Sequence, residues 1–130
     1  MAGFSDYLED KVLDHVFGGT AYTAPSTLYV ALYTVAPGDT GGGTEVSGGA
    51  YARQTATFTV SGTNPTTASN DAAIEYPTAT ADYGTVVAVG VLDALSAGNL
   101  LAYANLDASK TVSSGDVFRF DAGDLDITLA

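Results

Sequence analysis

The one histidine of the chain, His15, stands next to Asp14 in a segment with helical spacing. A nucleophilic triad needs the acid to reach the imidazole from elsewhere in the fold, so neighbours in sequence do not make one. No Gly-x-Ser-x-Gly elbow occurs either. A second candidate is the run Asp121, Asp124 and Asp126 around Gly123, with Asp116 close by. Oxygen-rich loops of this kind can hold calcium. The spacing departs from the EF-hand loop and no Glu closes it, so these residues read as a solvated turn. The turn leads into a strand in which Asp124 and Asp126 alternate with Leu125 and Ile127. Two of the same carboxylates could serve glycoside hydrolysis only in a cleft with aromatic sugar platforms, and the chain has no Trp. It also has no Cys, which removes thiolate chemistry, thiolate metal sites and disulfides. No catalytic, cofactor-binding or metal residue is assigned, and the chain is expected not to be an enzyme.

Tyrosine is the stronger signal. Tyr22, Tyr29, Tyr33, Tyr51, Tyr76, Tyr83 and Tyr103 are spread over the region with strand patterns. An apolar ring with a polar tip suits an interface, and it equally suits a strand packed in a core. Arg53 and Arg119 lie inside strand patterns. In a chain with four cations in all, each is expected to meet carboxylates within the domain or across a subunit boundary.

These residues must be positioned by mostly β elements. Residues 5–17 carry the one helical pattern, with Leu8, Val12 and Val16 on one face beside Leu13 and Phe17. Ser5 or Asp6 can cap it, Asp6 and Glu9 resemble a capping box, and Gly18-Gly19 ends it. That face packs on its own domain or docks on a neighbouring subunit. From residue 28 the period changes to two. Strands are expected at 28–33, 51–60, 73–76, 85–92, 100–106, near Val112, at 117–120 and at 125–129, with residues 61–71 read as turn throughout. Seven to eight short strands predict an all-β antiparallel sandwich with one short N-terminal helix, as a single domain over 1–130. Leu28, Val30, Leu32, Phe58, Val87, Val89, Leu101, Phe118, Phe120, Ile127 and Leu129 are the expected core.

Composition narrows the partners. The 130 residues carry fifteen Asp and Glu against four Lys and Arg, a formal net charge of -11. Phosphate backbones and anionic lipid both select for Lys and Arg, so neither nucleic acid nor a membrane surface is an expected partner. No apolar run reaches the roughly 20 residues of a membrane span. Asp6, Glu9, Asp10 and Asp14 interrupt the apolar positions of the first segment, so no signal peptide is read there.

Three stretches together resemble a group of small bacteriophage virion proteins described as phage tail fibre proteins. They are FSDYLEDKVLDHVFGGTAYTAPSTLYVALYTVAPGD at 4–39, EVSGGAYARQTATF at 45–58, and AAIEYPTATADYGTVVAVGVLD at 72–93 running into GNLLAYANLDASKTVSSGDVFRFDAGDLDITL at 98–129. The resemblance implies a non-enzymatic virion structural protein, tail-fibre-like or tail-associated, assembled in the bacterial cytoplasm with other tail or capsid proteins. It carries over no catalytic residue and no cofactor. A capsid decoration (cement) protein is the nearest alternative, and a carbohydrate- or receptor-binding module facing a host surface glycan is a further one. A homo-oligomer, as a trimer, is expected, because a small domain without disulfides gains stability by subunit burial.

Overall fold

The computed structural model describes residues 3–129. In chain order these form β1 (Gly3–Phe4), α1 (Asp6–Val16), β2 (Leu28–Val35), β3 (Thr44–Glu45), β4 (Gln54–Ala56), β5 (Phe58–Ser61), β6 (Thr66–Asn70), β7 (Ile74–Glu75), β8 (Gly84–Leu92), β9 (Leu100–Val112), β10 (Arg119–Phe120) and β11 (Asp126–Leu129). Every strand pairing is antiparallel. The architecture is the expected all-β sandwich with an N-terminal helix. The large sheet runs β1-β9-β8-β2-β3, with β4 also on β2; the facing elements are the pair β10-β7 and the three-stranded sheet β11-β6-β5.

The core follows from alternation. Val30 and Leu32 of β2, and Val86, Val89 and Val91 of β8, point inward from the large sheet. They meet Ile74, Tyr76, Phe118 and Leu125 from the opposite side. The other face of the large sheet is apolar as well, with Ala31, Tyr33, Ala88, Leu92 and Leu100 in a second cluster. This is why β2 and β8 read as apolar on both faces: they are the central strands. Gly90 is required there by packing. A Cβ on it would lie 2.8 Å from Tyr33 Cε1 and 2.9 Å from Leu100 Cδ1.

Three expectations need correction. The strand expected over 51–60 is broken at Thr57: β4 pairs with β2 in the large sheet, whereas β5 pairs with β6 in the small one. The chain crosses between layers there, and alternation alone does not reveal a crossing. The stretch 61–71 is not turn throughout, because Thr66–Asn70 is the central strand of the small sheet. Its Thr, Ser and Asn also favour turns, but β-branched Thr suits a strand that pairs on both edges. Finally, Leu129 is 58% exposed rather than buried. Val30, Leu32, Val89, Leu101 and Phe118 are buried as expected, whereas Leu28, Phe58, Val87, Phe120 and Ile127 are half-buried.

Asn70 holds the small sheet to its neighbours. It is 2% exposed; its Nδ2 donates to the carbonyls of Ala72 and Asp121 at 2.9 Å each, and its Oδ1 accepts from Leu125 N–H at 2.9 Å. All four hydrogen-bonding positions of the amide except one are thereby used, as burial of a polar group demands.

Candidate functional site

Helix α1 buries none of its residues in the core. Ser5 is its N-cap: the side-chain oxygen accepts from Leu8 N–H, and the hydroxyl donates to the Leu100 carbonyl of β9. Ser5 N–H donates to Leu101 O at 2.8 Å, and Asp6 N–H to Asp39 O at 2.9 Å. The start of the helix is thus clamped to the large sheet. With Ser5 as cap, Asp6 and Glu9 do not form a capping box and instead favour the positive end of the helix dipole. Beyond this clamp the helix has no buried residue. Leu8 and Val12 are half-buried, but Leu13, Val16 and Phe17 are 58%, 60% and 82% exposed. They stand at i, i+3 and i+4 and form one stripe. The same helix carries Asp6, Glu9, Asp10 and Asp14, with Lys11 as its one Lys or Arg.

The tyrosines divide. Tyr51, Tyr76 and Tyr83 are packed together in the sandwich: Tyr51 stacks on Tyr76 at 5.9 Å and meets Tyr83 edge-on at 5.8 Å. Tyr76, 1% exposed, donates its hydroxyl to the Val30 carbonyl at 2.7 Å. Tyr51 donates to Glu45 Oε2 at 2.7 Å and accepts from Leu32 N–H at 3.0 Å. Burial, and then the hydrogen bond to Glu45, push the Tyr51 hydroxyl well above its usual range. Tyr22, Tyr29 and Tyr103 are half-buried, and Tyr103 donates to Asp39.

A cleft of about 540 Å³ opens beside α1, between Asp6 and Tyr7, the glycine-rich loop 39–43 and residues 97–100. Its floor includes Tyr33, Glu45 and Arg53. Arg53 and Glu45 are locked together, with Nη2 2.8 Å from Oε1 and Nε 2.9 Å from Oε2. Burial alone would raise the Glu45 carboxyl, but the hydrogen bonds from Arg53 and Tyr51 outweigh it and hold the carboxyl below its ordinary value. Tyr33 is 5% exposed, and its hydroxyl has no hydrogen-bond partner among the described residues. Among the described residues no fully buried side-chain polar atom is left unpaired, so that hydroxyl meets solvent, and the cleft is where Tyr33 lines open space.

The remaining candidates are not brought together. His15 is exposed, and its Nδ1 accepts from Tyr22 N–H at 3.0 Å, tying the end of α1 to the chain that follows. Asp116 accepts from Ser113 N–H, Asp124 from Asp121 N–H, and Asp126 from the Ser69 hydroxyl. Asp121 pairs with Arg119, which also reaches Glu75 at 3.2 Å. Both arginines therefore meet carboxylates inside the chain. Among the described residues, no three His, Cys, Asp or Glu side chains are grouped to hold a metal ion, and no helix is long and apolar enough to cross a membrane.

Sequence reasoning did not find Glu45, Asn70 or the open hydroxyl of Tyr33. Glu45 carried no motif, since its link to Arg53 depends on β3 and β4 both pairing with β2. For Asn70 a weak signal existed, the alternation Thr67, Ala68, Ser69, Asn70.

No curated protein matches the chain. The family model described as Podophage GP4 fiber I protein gp80 matches residues 3–128, nearly the whole of it. This agrees with the resemblance carried by residues 4–39, 45–58, 72–93 and 98–129, and the chain belongs to the Podophage GP4 fiber I protein gp80 family.

Proposed function

We propose that the chain is a non-enzymatic structural component of a bacteriophage virion, tail-fibre-like or tail-associated, held on the particle through α1 and working as a symmetric homo-oligomer, taken as a trimer. The observation that carries attachment is the uncovered stripe Leu13, Val16 and Phe17 on a helix with no buried residue. An isolated helix of 11 residues is marginal in water, and most helices are held by packing of their apolar face. Here the clamp at Ser5 fixes where the helix points while leaving its apolar end open. The helix that bears the stripe also carries four acidic residues, so the fitting partner is a neighbouring virion protein that offers an apolar patch with Lys or Arg nearby. The non-enzymatic reading is supported by the local engagement of His15 and of the Asp116–Asp126 carboxylates in turns and caps. The test is incorporation: particles assembled with Phe17→Asp should lack the protein, while the purified variant remains folded. Incorporation at the normal level would remove α1 as the attachment element.

A second reading has its own observation, the open Tyr33 hydroxyl in the cleft beside α1. A cleft with tyrosine rings, carboxylates and Asn99 suits a neutral polyhydroxylated ligand such as a host surface glycan. Chemical-shift changes at Tyr33 and Asn99 on titration with host surface polysaccharide would support it. Unchanged spectra would remove it.

A further inference from the structure

The three-stranded sheet β5-β6-β11 reaches beyond the sandwich. Register puts Phe58 opposite Asn70, Val60 and Ile127 opposite Ala68, and Leu129 opposite Thr66, so these side chains share the sheet's inner face. Exposure rises along every strand of that face in the same direction. On β5, half-buried Phe58 gives way to Val60 at 67%. Leu125, just before β11, is 5% exposed; along β11 half-buried Ile127 leads to Leu129 at 58%. On β6, Asn70 at 2% leads to half-buried Ala68 and exposed Thr66. The far end of the inner face is therefore an apolar ledge with nothing above it among the described residues.

We infer that a second copy of this chain covers the ledge, with Val60 and Leu129 at the centre of the contact. This rests on the reading that the chain is a homo-oligomer and says where its copies meet. Each copy carries -11, so two copies repel over most of their surface. The inner face of this sheet carries no charged residue. Its acids lie on the opposite face, where Asp71 takes the Thr57 and Thr59 hydroxyls and Asp126 takes Ser69. By contrast, the helix that bears the α1 stripe carries four carboxylates against one Lys, and two copies meeting there would bring like charges together. A neutral ledge suits a like-charged copy; a stripe on an acidic helix suits a basic partner. The sheet edges agree. β5 and β11 are both outer strands and contain neither Lys nor Pro, the residues that commonly guard an edge kept free. A symmetric arrangement of copies shields such edges.

Sedimentation equilibrium of the wild type, of Val60→Asp, of Leu129→Asp and of Phe17→Asp tests this at one moderate salt concentration. Both ledge variants should weaken self-association about 30-fold or more, as loss of an interface hot spot does. Phe17→Asp should leave it unchanged. Both ledge positions are mostly exposed, so the variants should keep the wild-type circular dichroism and melting point. A reporter independent of the charge change is available because the chain has no Cys. Leu129→Cys should cross-link between copies on oxidation, while Phe17→Cys should not. A wild type that associates while both ledge variants associate equally well overturns the ledge and leaves the oligomer standing. A wild type that is monomeric throughout overturns the oligomer and the ledge with it.

Discussion

Arg53 Nη1 reaches the carbonyls of Ala94 and Ala97 at 2.8 and 2.9 Å while its other two nitrogens hold Glu45. One side chain thus ties the loop after β8 to the β3 edge and forms part of the cleft floor. The guanidinium is only 8% exposed, and Glu45 26%. Arg53→Ala would leave Glu45 and two carbonyls without their donor, and should destabilise the chain by about 3 kcal/mol. Arg53→Lys should recover only part of this, since an ammonium cannot present the planar fork. Thermal and urea unfolding of the two variants measure the difference.

The same pair sets a pH dependence. The folded Glu45 carboxyl lies below its ordinary value near 4.5. A group depressed on folding contributes stability above its unfolded pKa and loses it as pH falls through the folded one. Glu45→Gln removes that contribution, so the stability gap between wild type and Glu45→Gln should be widest above pH ~4.5 and should narrow below it. Urea midpoints of both proteins across the acid range give the comparison.

Asn70→Ala should cost about 3 kcal/mol, because Leu125 N–H and the Ala72 and Asp121 carbonyls would lose their partner inside the protein. Leu125, one of the buried core residues, should become faster in amide exchange than in the wild type.

Those positions show what the sequence conveyed. β2 and β8 were legible because burial on both faces leaves an unbroken apolar run, and α1 because Leu8, Val12 and Val16 repeat at helical spacing. What periodicity could not convey was which layer a residue joins. Thr55 and Thr59 look alike in sequence, yet one lies in the large sheet and the other in the small. The exposure of Phe17 and Leu129 was equally hidden, since an apolar residue in a regular pattern looks the same whether its own domain covers it or another molecule does. The pairing of Arg53 with a carboxylate was expected from charge scarcity; its identity as Glu45 needed the strand order.

Salt should strengthen self-association. Raising ionic strength from about 10 mM to about 0.15 M shortens the screening length from roughly 30 Å to roughly 8 Å. The repulsion between chains of -11 falls accordingly, whereas contact at an uncharged ledge is unaffected. The dissociation constant from sedimentation should decrease over this range. An increase would mean that charged pairs, rather than Val60 and Leu129, hold the copies together.

Phe17→Asp should leave folding intact, with a stability change within about 0.5 kcal/mol, as for most surface substitutions. Its effect should be confined to attachment, and a pull-down from lysates of infected cells should recover virion proteins with the wild type and not with the variant.

Quantitative mass spectrometry of purified particles tests the central claim most directly. The account predicts that the chain is present and that its copy number matches the tail proteins of the same particle. A copy number matching the major head protein would contradict the tail-fibre assignment in favour of a capsid decoration role, and absence from the particle would contradict the structural role itself.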